Sequence, residues 1–281
     1  MTESAELQSS PRAGGVLEHA KRRGVLYIQI LLLVALIAIW QGVADRFDTE
    51  FWTSSPLSIL AALFQWYESG QLVTDLQLTL FEAGIGFVLG SIGGGVVGFV
   101  LGWVRKLGDI FEPFVLSIYT LPKIALAPLF VLWFGIGPLN KVMFSALLVF
   151  FMVFFTTFQG IRQVDLDLVA NARLLGARRV DIWTKIAIPY SAVWVFTGLR
   201  ISLPYALIGT IVGEFVAAQA GVGFRIKEAT TYFNTAEVFA GLVVLMAISL
   251  LLLGVLSLIE RRVMRWQTAD TVSISDAAGT T

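Results

Sequence analysis

The chain has 281 residues, 57% of them hydrophobic and only 14% charged, and its mean hydropathy of +0.79 exceeds what one soluble core could bury. Twenty Lys and Arg balance 20 Asp and Glu, cysteine is absent, and the single histidine, His19, lies in a polar N-terminal stretch. Disulfide frameworks, thiolate nucleophiles and His- or Cys-based metal or triad chemistry are thereby excluded, and the solvent of this fold is a membrane.

In chain order, a tail over residues 1–24 carries Arg12, Lys21, Arg22 and Arg23 ahead of a first apolar run. That run is too long for the h-region of a secretory signal and reads as a retained span. A hydrocarbon core of about 30 Å needs roughly 20 helical residues. Windows of that length predict six spans, at 25–43, 80–103, 111–135, 139–160, 191–216 and 237–259, within a membrane domain 25–266 followed by a flexible tail 267–281. The stretch "PLSILAALFQWY" from Pro56 is apolar but short; with Ser55 as N-cap and Pro56 at the first helical position it reads as an interfacial helix.

Span two repeats glycine at Gly86, Gly90, Gly94, Gly98 and Gly102, which lines one helix face with backbone. Such a ridge serves tight packing within the chain or contact with a second subunit. Span three contains "TLPKIALAP", where Pro122 and Pro128 each remove a helical hydrogen bond. Interrupted backbone at this depth either lines a translocation pathway or is a proline kink packed by neighbours.

Lys and Arg set the orientation. With the N-terminus cytoplasmic, six spans place residues 12–23, Arg105, Lys106, the 162–185 cluster, Arg261, Arg262 and Arg265 inside. Arg46, Lys141, Arg225 and Lys227 fall outside, and both termini are cytoplasmic.

The loop 163–190 is cationic yet helix-forming. Asp165 or Asp167 can cap a short helix with Leu168, Val169, Ala172 and Leu175 at apolar spacing, and Gly176 supplies the left-handed residue that ends it. A second helix follows, with Arg178 and Arg179 on its first turn and Val180, Trp183 and Ala187 along one side, before Pro189 introduces span five. The product is either a docking knob for a partner or a hairpin resting on anionic lipid headgroups.

The spacing Ala172, three residues, Gly176, nine residues, then Ile186-Ala187-Ile188-Pro189 resembles the EAA loop of ABC-importer permeases. "TLPKIALAPLFVLWFGIG", "TGLRISLPYALIGTIVGEF", "GVGFRI" and "LIERRVMRW" follow in the order seen in the nitrate, sulfonate and taurine branch of that group, from about Val25 to Trp266. The resemblance implies an all-α membrane protein of the type I importer kind, with six transmembrane helices and cytoplasmic coupling helices. It implies that Asp167, Leu168, Ala170, Asn171, Ala172, Leu175, Gly176, Arg178, Arg179 and Trp183 couple to an ATPase. Glu-Ala-Ala is here Ala170-Asn171-Ala172, so the acidic residue of the pattern is missing, and Asp167, one turn earlier, is its candidate substitute.

No G-x-x-x-x-G-K-[ST] motif is present to cradle a phosphate chain, so energy must come from elsewhere. The resemblance implies two ABC ATPase subunits that bind ATP and Mg, a second permease copy in a homodimer, an extracytoplasmic solute-binding protein, and the bacterial cell membrane as location; nucleic acid has no place in it. This chain itself needs no cofactor and is not an enzyme.

Two cations stand inside spans, Lys123 beside Pro122 and Arg200 one turn before Pro204. Together with Pro128 these five residues are the pathway candidates, and an anionic cargo would suit the cations. Alternatively Arg200 snorkels from a helix end and Lys123 pairs with a carbonyl freed by the prolines. Glu82 and Glu214 lie toward the outer ends and read as interfacial. A self-sufficient secondary transporter or channel is the competing function. An intramembrane hydrolase lacks H-E-x-x-H, G-x-S-x-G and any in-membrane histidine.

Overall fold

The computed structural model describes residues 12–47 and 50–264, and every regular element among them is helical. Residues 1–11, Arg265 and the tail at 267–281 lie outside the described residues. The first helix, α1 (Arg12–Phe47), reaches back into the segment expected to be tail, because Leu, Glu, Ala, Lys and Arg before the apolar run continue a helix without a break. After a single turn, α2 (Glu50–Thr53), comes the short helix α3 (Pro56–Glu68), where the Ser55 hydroxyl accepts from the Ser58 N–H and Pro56 opens the first turn.

Among the described residues five helices are long and apolar enough to cross a membrane: α1, α4 (Gln71–Trp103), α7 (Pro138–Arg162), the run from α9 (Arg179–Ile182) through α10 (Ile188–Ala217), and α12 (Thr235–Val263). The bent pair α5 (Arg105–Thr120) and Lys123–Phe134, broken by 80°, is long and apolar enough only when the two halves are taken together, as a broken sixth span or a re-entrant loop. The second half of that pair is a 3-10 turn, Lys123–Leu126, followed by α6 (Ala127–Phe134). Leu121 precedes Pro122 and is held extended at φ −62° and ψ 140°, so α5 cannot continue and the chain turns where the sequence predicts an interruption.

Helix α7 is the axis of the bundle, with Phe144, Val149, Val153 and Phe154 at 1% exposure or less. Helix α4 lies along one side of it. Gly86, Gly90, Gly94, Gly98 and Gly102 all face α7, so close that a Cβ at Gly94 would run into the Phe150 carbonyl and one at Gly98 into the Phe154 carbonyl. The glycine ridge is therefore an intramolecular seam. Helix α10 packs on both α7 and α4: Gly209 passes over the Ser145 backbone, the Ser145 hydroxyl donates to the Ala206 carbonyl at 3.0 Å, and Leu207 meets Ala83. Around this three-helix centre α12 packs on α10, on α3 and on α11 (Val222–Thr231), while α1 packs on α2 and α3, sets Trp40 against Phe239 of α12 at 5.8 Å, and exposes Leu31, Leu33 and Leu36.

Candidate functional site

One end of the bundle carries a hairpin made of α8 (Leu166–Leu174) and α9. The Asp165 carboxylate accepts from the Asp167 N–H at 2.8 Å and starts α8. Gly176, at φ +88°, stops it: its N–H donates to the Arg173 carbonyl and the Ala177 N–H to the Ala172 carbonyl, a complete Schellman closure. The Asp181 carboxylate then accepts from the Arg178 N–H and pairs with Lys185 at 2.8 Å, which opens α9. Sequence reasoning places a break before span five, whereas α9 passes straight into α10 through a π-helical turn, Trp183–Ala187. Pro189 has no N–H for the Lys185 carbonyl, and the wider turn, in which the Ile188 N–H reaches the Trp183 carbonyl, absorbs that loss.

The hairpin has two unlike faces. Its inner face buries Val164, Val169 and Ile182 against Trp103, Ala177 and Ile186, and Trp183 packs its ring on Phe99 and Trp103 at 5.5 and 5.1 Å. Its outer face presents Leu174 and Leu175, 85% and 89% exposed, with Leu168 and Val180 also exposed. Asp167, Ala170, Asn171, Arg173, Arg178 and Arg179 are exposed around them, and Ala172 is half-buried. The expected coupling residues thus sit together on one knob, except that Trp183 turns partly inward.

The pathway candidates do not converge. Lys123 lies beside the middle of α7 and α10, lining a cavity with Tyr119, Pro122, Ile124, Leu148, Met152, Tyr205 and Ile208. Its ammonium donates to the Tyr119 carbonyl, which the end of α5 leaves free, and stands 4.1 Å over the Tyr119 ring and 5.2 Å from that of Phe151. Arg200 is on another side, ion-paired with Glu260 of α12. Pro128 sits in the first turn of α6, and Pro204 stands inside α10 without ending it.

At the end of the bundle away from the hairpin lies a buried polar cluster that sequence reasoning missed. Glu82 and Glu214, expected at an interface, are both fully buried, and Lys141, counted as an outer-loop charge, is only 4% exposed. Burial is tolerated because each charge is partnered. Lys141 pairs with Glu82 at 2.7 Å, and Gly213 leaves room for the lysine stem. Glu214 accepts from the Thr79 hydroxyl at 2.7 Å and from the Gly223 N–H at 2.6 Å. Thr79 accepts in turn from the Val222 N–H at 3.0 Å, and Asp75 from the Gly221 N–H at 2.8 Å. Three successive amides at the start of α11 are thus capped by α4 and α10, with Arg225 bridging Asp75 and Glu228. The available signal was the register: Asp75, Thr79 and Glu82 continue the face marked by Gly86 and Gly90.

Residues 86–265 match the family described as binding-protein-dependent transport system inner membrane component. The putative aliphatic sulfonates transport permease protein SsuC of Bacillus subtilis is 31% identical over 241 residues, covering 85% of this chain and 87% of that protein. The riboflavin transport system permease protein RibX of Chloroflexus aurantiacus is 33% identical over 238 residues, covering 84% and 89%. Among solved structures, an inward-facing conformation of the MetNI methionine ABC transporter superposes with a TM-score of 0.58 at 20% identity, over 69% of this chain and 95% of that one, and shows a common fold. The chain belongs to the family of binding-protein-dependent transport system inner membrane components, as the membrane-spanning permease subunit of an ABC importer.

Proposed function

We propose that the α8–α9 knob is the surface through which ATPase subunits drive this permease, and that the solute it carries is a small anion. One observation carries the first part: a hairpin fixed on its inner face by Val169, Ile182 and Trp183 offers exposed Leu174, Leu175 and Val180 on its outer face. A contact that transmits motion must be rigid behind and apolar in front, and such a patch rimmed by charge is what an interaction surface looks like. On this reading the knob faces the cytoplasm, both termini lie on that side, and two ATPases bind ATP and Mg while two copies of this chain pair in the bacterial cell membrane. A solute-binding protein delivers cargo to the other face. A relative named for aliphatic sulfonates and one named for taurine support the anionic reading, and Lys123 is chemically suited to it.

The test is reconstitution in proteoliposomes with the ATPase subunits and the binding protein. Uptake of the cargo should require ATP and all components. Uptake by this chain alone would identify a secondary carrier instead.

A further inference from the structure

We infer that the cavity around Lys123 is a cargo subsite for an amphipathic monoanion, an organic acid with one anionic head and a short aliphatic body. This rests on the reading of the chain as a permease for a small anion, and it names which anions fit.

The bend after α5 makes the site. Because α5 ends at Thr120 and the chain bends by 80°, the turn Lys123–Leu126 is set against the middle of α7, at Leu148 and Met152, and of α10, at Tyr205 and Ile208. The space is an open cleft of about 400 Å³, within the usual 300–1,000 Å³ of small-molecule sites, with Ile124 and Ile208 exposed along it. Charge singles out Lys123. Lys141 pairs with Glu82, Arg162 with Asp109 and Glu112, and Arg200 with Glu260, whereas Lys123 has no carboxylate within 4 Å among the described residues. One of its three donors goes to the Tyr119 carbonyl and its charge is shared with two ring faces, so it lacks a counterion at a depth where an isolated cation is costly. An anion entering the cavity supplies that counterion.

The rest of the wall is Pro122, Ile124, Leu148, Met152 and Ile208 with the phenols of Tyr119 and Tyr205, so it is mostly apolar. A bare inorganic anion would have to shed its hydration shell there with one cation and two phenol hydroxyls to compensate. A sulfonate or carboxylate with a few methylenes can put its head on Lys123 and bury its body, at roughly 0.8 kcal/mol per methylene.

The probe is radiolabelled 1-pentanesulfonate, titrated onto the purified chain in phosphatidylcholine nanodiscs. Binding should be saturable, weaken at least tenfold in Lys123→Gln, and disappear in Ile208→Trp, which fills the cavity while leaving Lys123 in place. Thermal unfolding checks that both variants are folded, and Lys123→Arg should retain binding if either change unsettles the helix. Methanesulfonate should compete far less well than pentanesulfonate, and sulfate not at all. Equal binding by the wild type and folded Lys123→Gln would overturn the inference, as would competition by sulfate at pentanesulfonate's own concentration. Anionic phosphatidylglycerol that displaces the probe stoichiometrically would overturn it too, by making the occupant a lipid headgroup. These readouts need no ATPase, so failure of ATP-dependent uptake would count against the permease reading and leave the subsite result standing.

Discussion

The two ends of this bundle use charge and apolar surface in opposite ways. At the end near α11, Asp75, Thr79, Glu82, Lys141 and Glu214 are all buried and bonded to one another or to the Gly221, Val222 and Gly223 amides. At the hairpin end the charges are exposed and the leucines stand outside them. A buried polar network in which every charged side chain has a bonded partner favours one geometry, whereas an exposed apolar knob on a rigid base offers its surface to a partner. The first end anchors α11 to α4 and α10; the second, on the proposed function, is where ATPase subunits would move the molecule.

The sharpest way to break this contrast is to remove one side of a buried pair. Lys141→Met leaves the Glu82 carboxylate without its cation, a loss of about 3–5 kcal/mol that should abolish monodisperse protein in detergent; adding Glu82→Leu should restore most of the thermal stability. Next comes Glu214→Leu, which strips acceptors from the Gly223 N–H and the Thr79 hydroxyl at about 1–3 kcal/mol each. Hydrogen exchange at Val222 and Gly223 should rise well before global unfolding. At the hairpin the effects on stability shrink. Gly176→Val meets no atom within 4 Å but forces a β-branched residue to φ +88°, for roughly 1–2 kcal/mol of local strain. It should loosen the joint between α8 and α9 and reduce ATPase co-purification while the unfolding midpoint moves little. Arg200→Gln breaks an ion pair whose arginine is more than half exposed, worth about 0–1 kcal/mol, and should be close to silent in thermal unfolding. Leu175→Asp should change stability least, within about 0.5 kcal/mol, because the side chain touches little; its effect belongs wholly to partner binding.

The hairpin was legible because its determinants are local. Asp165 as cap, Gly176 as stop and the apolar spacing between them act over a turn or two, and each took the conformation the spacing predicts. The glycine ridge of α4 was legible for the same reason, although only packing showed that its partner is α7. The buried cluster was not legible because its bonds join residues far apart in the chain. Glu82 and Lys141 are 59 positions apart, Thr79 and Glu214 are 135, and hydropathy counts each as a charge near a helix end. The run of α9 into α10 was hidden by Pro189, which normally marks a boundary but here is absorbed by a π-turn. The two pathway candidates could not be told apart in sequence: Lys123 and Arg200 look alike there, yet one faces a cavity and the other is taken by Glu260.

The absence of cysteine allows a direct test of which end meets the motor. Single cysteines would replace Leu175, 89% exposed on the knob, and Tyr232, 76% exposed just after α11, in the transporter assembled in membranes with its ATPase. With a short thiol-reactive photo-crosslinker, position 175 should form a covalent adduct with the ATPase and resist an impermeant maleimide added from outside intact cells. Position 232 should show the reverse, labelling from outside with no ATPase adduct. An ATPase adduct at 232, or outside labelling at 175, would contradict the assignment of the α8–α9 knob as the coupling surface.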